Sequence, residues 1–480
     1  MGKYALHWKL ILIPQRENDA MTDRELPLTP LMQLDLGEPL GQLRAAPVRL
    51  GGQRAMLLVH GRDADVDPFV EMFFYPEGTL KLTLVSLAGG ILWQKDLGPG
   101  VVPGMWFCPF LAWDLDGDGV DEIYFVNNTD AEHPLRLTRY VLERLDARTG
   151  ETTGQWPWPS EGDQRLSHVF RNFIVAGRGK AGDVLVTAQG TYGDMFLQGW
   201  DAKMNPLWER TIAADEPGAR GSHMAPVVDI DGDGAEELLW GERCLRLDTG
   251  EELFCAARDS WQGHSDIIWP FRDEENDRWC FLATRESEGQ GDRVAVYDDR
   301  GQMLWSDLDE GHMDMGWVAH LGENGRPVAM AIRIGGKSAG SAGRFHSGVE
   351  EFVYDALTGE RMELDFSVYE ALPVDLDGDG IDELVRGYRR GSGEVLSPAG
   401  EAIGQIRGIV AVRGRLTDHP GRQMLAFEEN GRVTLWGAAN GRDSKLDRGH
   451  YPAPLRNTSG YDLFYEGAVE PMAEQFHLQL

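Results

Sequence analysis

The chain has 480 residues, 42% hydrophobic and 9% aromatic, enough apolar material for a large folded core and too much for a disordered chain. Its 78 acidic residues against 46 basic ones give a formal charge of −32. That balance excludes broad nucleic-acid or anionic-membrane binding, since both depend on Lys and Arg meeting phosphates.

At the N-terminus, the short apolar patch of Met1 to Pro14 is interrupted by Lys9 and lacks a small-residue cleavage site. A cytoplasmic protein is expected on that ground. No later run is apolar and long enough to span a bilayer. Cys108, Cys244, Cys255 and Cys280 are too few for a disulfide scaffold.

From about residue 41 onward, strand-like runs alternate with turns, and helical periodicity is nearly absent. One hairpin recurs: a strand enters a Gly or Asn turn and leaves it into Leu-Trp or an equivalent, as in Ser86 to Trp93, Trp200 to Trp208, Leu247 to Phe254 and Tyr297 to Trp305. The turn residues are Gly90, Gly150, Asn205, Gly250, Gly301, Gly359, Gly400 and Gly441. Their spacing of roughly 40 to 60 residues suits four-stranded propeller blades. The expectation is an all-β protein, a single β-propeller of eight four-stranded blades, with seven as the alternative if the unit near Gly400 or Gly441 is irregular or belongs to the closure. Residues 1–40 form an N-terminal extension and ring closure, 41–446 the propeller, and 447–480 a tail packing on it.

Three nine-residue loops stand out: Asp114-Leu-Asp116-Gly-Asp118-Gly-Val-Asp121-Glu122, Asp229-Ile-Asp231-Gly-Asp233-Gly-Ala-Glu236-Glu237 and Asp375-Leu-Asp377-Gly-Asp379-Gly-Ile-Asp382-Glu383. Carboxylates at positions 1, 3, 5 and 9 can converge on one hard cation because the glycines let the chain curl. Strand-like runs rather than helices follow, so these are not EF-hands. The calcium ligands expected are Asp114, Asp116, Asp118 and Glu122; Asp229, Asp231, Asp233 and Glu237; and Asp375, Asp377, Asp379 and Glu383. Without metal they would be acidic hairpin turns, crowding carboxylates that repel one another.

If the strands of a blade are lettered a to d from the axis outward, the a–b and c–d turns share one face of the disc. The b–c loops and d–a crossovers share the other. The aspartate loops are a–b turns, so the opposite face is where chemistry is sought. The crossovers bring His168, His223, His264 and His312 there from successive blades, the last two within Gly263-His-Ser-Asp266 and Gly311-His-Met-Asp314. The b–c loops add His133, Tyr192, Glu242 with Arg243 and Cys244, Arg285 with Glu286, Lys337 and Arg389. A basic pocket on an acidic protein is expected, one that captures an acidic substrate.

These residues resemble the β-propeller polysaccharide lyases, the rhamnogalacturonan lyase and ulvan lyase group. The likeness is carried by the run from His223 through the second aspartate loop to Trp240, by Leu247 to Phe254, and by Gly263-His-Ser-Asp266. Gln189 to Trp200, which contains Gly-Thr-Tyr192-Gly, is similar to the ulvan-lyase side. It covers roughly residues 105 to 320. The resemblance implies β-elimination on a rhamnose–uronate glycan, which needs a group to offset the uronate carboxylate, a base for the C5 proton and an acid for the departing O4. It points to Tyr192 as base, acid or both, to His133 and His168 as base or carboxylate contacts, and to Arg243 and Arg210 as carboxylate holders. His223, His264, His312, Arg285, Lys337 and Arg389 would bind substrate. Cys244 and Cys255, read as opposite each other on strands c and d, are candidates for zinc with help from His223 or His264, or for free buried thiols; some ulvan lyases carry a structural zinc. The implied cofactors are Ca2+, with Zn2+ as a second option, and the implied partner is an acidic oligosaccharide or polysaccharide. Two other readings stay open: a hydrolase of a rhamnose–uronate linkage using Glu242, Glu286, Asp266 or Asp314, and a non-catalytic calcium propeller that binds glycans or proteins.

Overall fold

Alternating apolar runs pair into eight antiparallel four-stranded sheets in the computed structural model. It describes residues 25–159, 165–286, 291–340, 343–369, 371–386 and 393–445, with side chains left aside over 337–346. Blades 1 to 7 are consecutive strands within 42–96, 110–157, 172–212, 227–255, 265–307, 313–362 and 371–405. Blade 8 takes strands a, b and c from 409–438 and its outer strand from Leu28–Asp35, which pairs with Arg432–Ala438. The larger of the two expected blade counts is therefore correct. Gly441 is not a c–d turn, because the chain start supplies the outer strand; it follows strand c of blade 8. Among the described residues no helix is long and apolar enough to cross a membrane.

Neighbouring sheets pack face to face, and the largest apolar cluster joins Phe173, Trp240, Trp269 and Trp317 from blades 3 to 6. At the rim, the recurring hairpin explains itself. Trp93, Trp208 and Trp305 on outer strands each donate an indole N–H to a carbonyl of the next blade, Ala147, Leu247 and Ala356, at 2.8 Å. Each indole lies against that blade's turn glycine: a Cβ on Gly150, Gly250 or Gly359 would come within 2.8, 2.5 and 2.6 Å of it. Those glycines also have φ near +70°. The Leu-Trp and the glycine turn are thus two halves of one inter-blade contact, and glycine is required there twice over.

The aspartate loops are a–b turns of blades 2, 4 and 7 and repeat one hydrogen-bond pattern. Position 1 accepts from the backbone N–H of position 6 (Gly119, Gly234 and Gly380, 2.9–3.0 Å), and the position 9 glutamate accepts from that of position 2 (Leu115, Ile230 and Leu376, 2.8–3.1 Å). Burial, with nearby aspartates adding to it, raises the carboxyl pKa of Glu122 to about 7 and of Glu237 to about 8.

Position 8 does something else. Asp121, Glu236 and Asp382 are buried and accept from the backbone N–H of Arg49, Arg178 and His320, each at the end of strand a of the preceding blade (2.6 Å in each case). Each returns its own backbone N–H to the same residue's carbonyl, at 2.7–3.1 Å. Three loops therefore lock their blades to the blade before, and in the first Asp114 adds a 2.7 Å ion pair to the Arg49 guanidinium. Asp382→Ala, which strands the buried His320 N–H, is expected to lower stability by about 1–3 kcal/mol. Urea unfolding would read this as a lower midpoint at constant slope; an unchanged midpoint would show that the latch contributes nothing.

Candidate active site

Strand direction alternates in every blade, so the d–a crossovers and b–c loops meet on the face opposite the aspartate loops. Blades 3 to 6 bring a contiguous cluster of titratable groups together there. Tyr192, in the b–c loop of blade 3, is positioned by two glycines. Gly190 has φ +92°, and Gly193 lies under His168, whose Nδ1 would be 2.8 Å from a Cβ there. The Tyr192 hydroxyl shares a 2.9 Å hydrogen bond with His223 Nε2. His168 stacks on the phenol ring at 6.1 Å, and the His264 ring meets it edge-on at 4.4 Å.

The histidines are wired to carboxylates. His223 Nδ1 lies 3.2 Å from Asp266 Oδ1, and His264 Nε2 is 3.5 Å from the same oxygen. His264 Nε2 also pairs with Glu286 Oε2, and the other Glu286 oxygen faces His312 Nδ1 at 3.5 Å. Burial pulls the His264 pKa down, but Glu286 and Asp266 together outweigh it and raise the value to about 9. Ligand atoms of His223, His264, Asp266 and Glu286 all lie within 4.8 Å of one another, and Glu286, His312 and Asp314 form an adjoining group of the same kind. Two imidazoles and two carboxylates are a donor set suited to a divalent cation.

Two β-bulges aim this set. Ser265 pairs with Arg285 and Ile267 with Thr284, leaving Asp266 as the extra residue. Asp314 is extra in the same way between Met313 and Met315. Each aspartate follows its histidine by two positions at the start of an innermost strand, where a bulge re-directs the side chain. Across the cluster, the buried Arg171 guanidinium sits 5.2 Å from the Tyr192 ring centroid and 4.8 Å from that of Trp106, and it pairs with Asp67 at 3.2 Å. Burial raises the Tyr192 phenol well above the ordinary tyrosine range, with Arg171 opposing that rise.

The four crossover histidines and Tyr192 therefore share one site, as expected from strand order. The arginines expected with them do not. Arg243 is fully buried and spends its guanidinium on the Ala219 and Pro217 carbonyls, Glu216 and Glu252, fastening the crossover before blade 4. Arg285 is closed into a bidentate pair with Glu242, with Tyr297 and the Asp292 carbonyl completing it. Arg210 lies on the outermost strand of blade 3, paired with Glu252. Among the described residues the site is an imidazole–carboxylate cluster beside one arginine, Arg171. His133 is 55% exposed and held by Asp130 at 3.1 Å, apart from the cluster's contacts. Lys337 falls where side chains are not described, and Arg389 lies outside the described residues.

Cys244 and Cys255 are not opposite each other. Cys255 pairs with Arg243 and Cys244 with Phe254, so the two thiols leave opposite sides of the sheet and cannot share a zinc ion. Burial raises both thiol pKa values. Sequence reasoning assigned no role in the elimination to Asp266, Glu286 and Asp314, and it passed over Arg171. The repeated Gly-His-x-Asp was a usable signal for two of them; the bulges that make it matter were not.

No family model matches the chain. Two curated proteins of Bacillus subtilis (strain 168) are similar to it: rhamnogalacturonan exolyase YesX at 26% identity, over 40% of this chain and 36% of that protein, and rhamnogalacturonan endolyase YesW at 23%, over 40% and 35%. The matched sequence thus spans about a third of each curated relative. Solved structures of YesX and of the Bacillus licheniformis rhamnogalacturonan lyase PL11 superpose with TM-scores of 0.67 and 0.68 at 17% and 18% identity. They cover 91% and 93% of this chain and 80% of each structure. The chain is thus similar to rhamnogalacturonan lyases in sequence over part of its length, and it shares the fold of their solved structures over most of it.

Proposed function

We propose that this propeller is a polysaccharide lyase that cleaves a rhamnose–uronate glycan by β-elimination, with the Tyr192–His223 pair as its proton-transfer centre. The observation that carries this reading is the 2.9 Å contact between the Tyr192 hydroxyl and His223 Nε2, with Asp266 behind the other imidazole nitrogen. An imidazole oriented by a carboxylate can take a proton from a hydroxyl. His223 would accept the phenolic proton, and the phenolate would remove the C5 proton of the uronate. As the C4–O4 bond breaks and the C4–C5 double bond forms, the tyrosine would return that proton to O4. Arg171, close to the phenol, favours the anionic form against the burial that disfavours it.

The uronate carboxylate also needs a counter-charge, and Arg243, Arg285 and Arg210 are engaged elsewhere. With His223 kept for the proton, His264, Asp266 and Glu286 fit a divalent cation by their convergence and donor types. Such an ion would supply positive charge to the carboxylate and acidify the C5 proton. The residues' own work is to hold that charge near Tyr192 and keep the phenol at the mouth of the channel.

We also read the aspartate loops as calcium sites. In each, three carboxylates approach within 4.8 Å: Asp114, Asp116 and Asp118; Asp229, Asp231 and Glu237; Asp375, Asp377 and Asp379. Asp233 instead pairs with Lys180 and Arg246.

Replacing Tyr192 with Phe is expected to cut kcat on a rhamnose–uronate substrate by roughly 100-fold or more. The readout is the ultraviolet absorbance of the conjugated unsaturated uronate; a variant as fast as the parent would remove Tyr192 from the chemistry. Chelation is expected to abolish the same signal and also lower the thermal midpoint, because ions that bind only the folded state stabilise it. Glu286→Gln should lose activity while keeping the chelator-sensitive midpoint. Chelator-resistant activity would exclude the cation from the site, and a chelator-insensitive midpoint would empty the loops.

A further inference from the structure

The b–c loop of blade 1, residues 62–80, lies on the same face as Tyr192 and carries Phe69, Val70, Phe73, Phe74 and Tyr75. Phe69 is 43% exposed, Val70 68% and Tyr75 73%, an unusual display of large apolar groups on so acidic a chain. The loop is nevertheless held firmly. Buried Asp63, Asp65 and Asp67 pin it from below: Asp63 accepts from Gly78 N–H at 2.7 Å, Asp65 from Met105 N–H at 2.6 Å, and Asp67 from Phe69 N–H at 2.7 Å. Asp67 also pairs with Arg171, whose guanidinium covers the Tyr192 ring. An aromatic series runs the same way, from Tyr75 to Phe73 at 5.1 Å, to Phe107 at 6.2 Å, and to Phe170 at 5.0 Å, two residues beyond His168.

From this continuity we infer that the Phe69–Tyr75 segment is a sugar-stacking subsite that binds a neutral pyranose of the glycan, next to the uronate at Tyr192. The inference rests on the lyase reading for the position of the uronate. Exposed aromatic rings on a pre-ordered loop offer flat apolar faces, which suit the C–H face of a sugar and lose little freedom on binding. Charge selects the occupant. The loop's exposed charges are Glu71 and Glu77 against Arg62, a net acidic face that disfavours a uronate, a phosphate or an anionic lipid but not a neutral deoxy sugar.

The test measures binding rather than turnover. Full-length Tyr192→Phe protein, with and without Phe69→Ser and Tyr75→Ser, is titrated calorimetrically with rhamnose–uronate oligomers of increasing length. The expected result is affinity that rises with length in the parent and falls about tenfold for long oligomers in the double variant, while the shortest binding oligomer changes little. Equal loss at every length, or none, would overturn the subsite, as would failure of any oligomer to bind. Self-association that disappears in the variant without a change in glycan affinity would assign the patch to a second copy of the chain and overturn the inference too. Long oligomers that bind as expected to the Tyr192→Phe protein, while the unsubstituted protein makes no unsaturated product, would keep the subsite and sink only the lyase reading.

Discussion

Strict alternation of strand direction within every blade is the constraint on which the rest depends. It sends the a–b turns to one face of the ring and the b–c loops and d–a crossovers to the other. Nine-residue acidic loops and histidines separated by tens of residues are thereby sorted without any contact between them. Each face then meets its own charge problem. On the first, carboxylates crowd into three loops, and the position 8 residue of each is turned to hold the preceding blade. On the second, buried Asp266 and half-buried Glu286 sit among imidazoles, which both compensate them and are oriented by them.

On the proposed reading, an acidic protein meets an acidic glycan without a basic surface among its described residues. Among the described residues, Arg243 and Arg285 are internal fasteners, and Arg171 is the arginine drawn into the cluster. A carboxylate-bearing substrate approaching Asp266 and Glu286 directly would be repelled at close range. On the proposed reading, a cation held between them would reverse that sign, and metal capture and substrate capture would belong to one chemical logic.

Much of the fold was legible because it repeats. The turn glycines and Leu-Trp hairpins are spaced by blade, and the structure gives their reason in the stacking of Trp93, Trp208 and Trp305 on Gly150, Gly250 and Gly359. The Gly441 turn was misread because ring closure borrows its outer strand from the chain start, a pairing with no local signature. In the site, His168, His223, His264, His312 and Tyr192 were legible through strand order alone. Arg243, Arg285 and Arg210 were misassigned because residue type and face do not reveal whether a guanidinium already has acceptors; Glu252 and Glu242 take them. The cysteine pairing failed on a one-residue register: a bulge beside Cys244 shifts the strand, and one step moves a side chain to the other side of the sheet. Asp266 and Asp314 depend on bulges of the same kind, which sequence spacing does not expose.

The central claim is that the Tyr192–His223 pair moves protons in an elimination and does not activate water. Mass spectrometry of a rhamnose–uronate oligomer digested in 18O-labelled water distinguishes the two outcomes directly. The account predicts fragments with an unsaturated uronate at the new non-reducing end and no oxygen from the solvent built in during cleavage. Saturated fragments with one labelled oxygen per cleaved bond would contradict it.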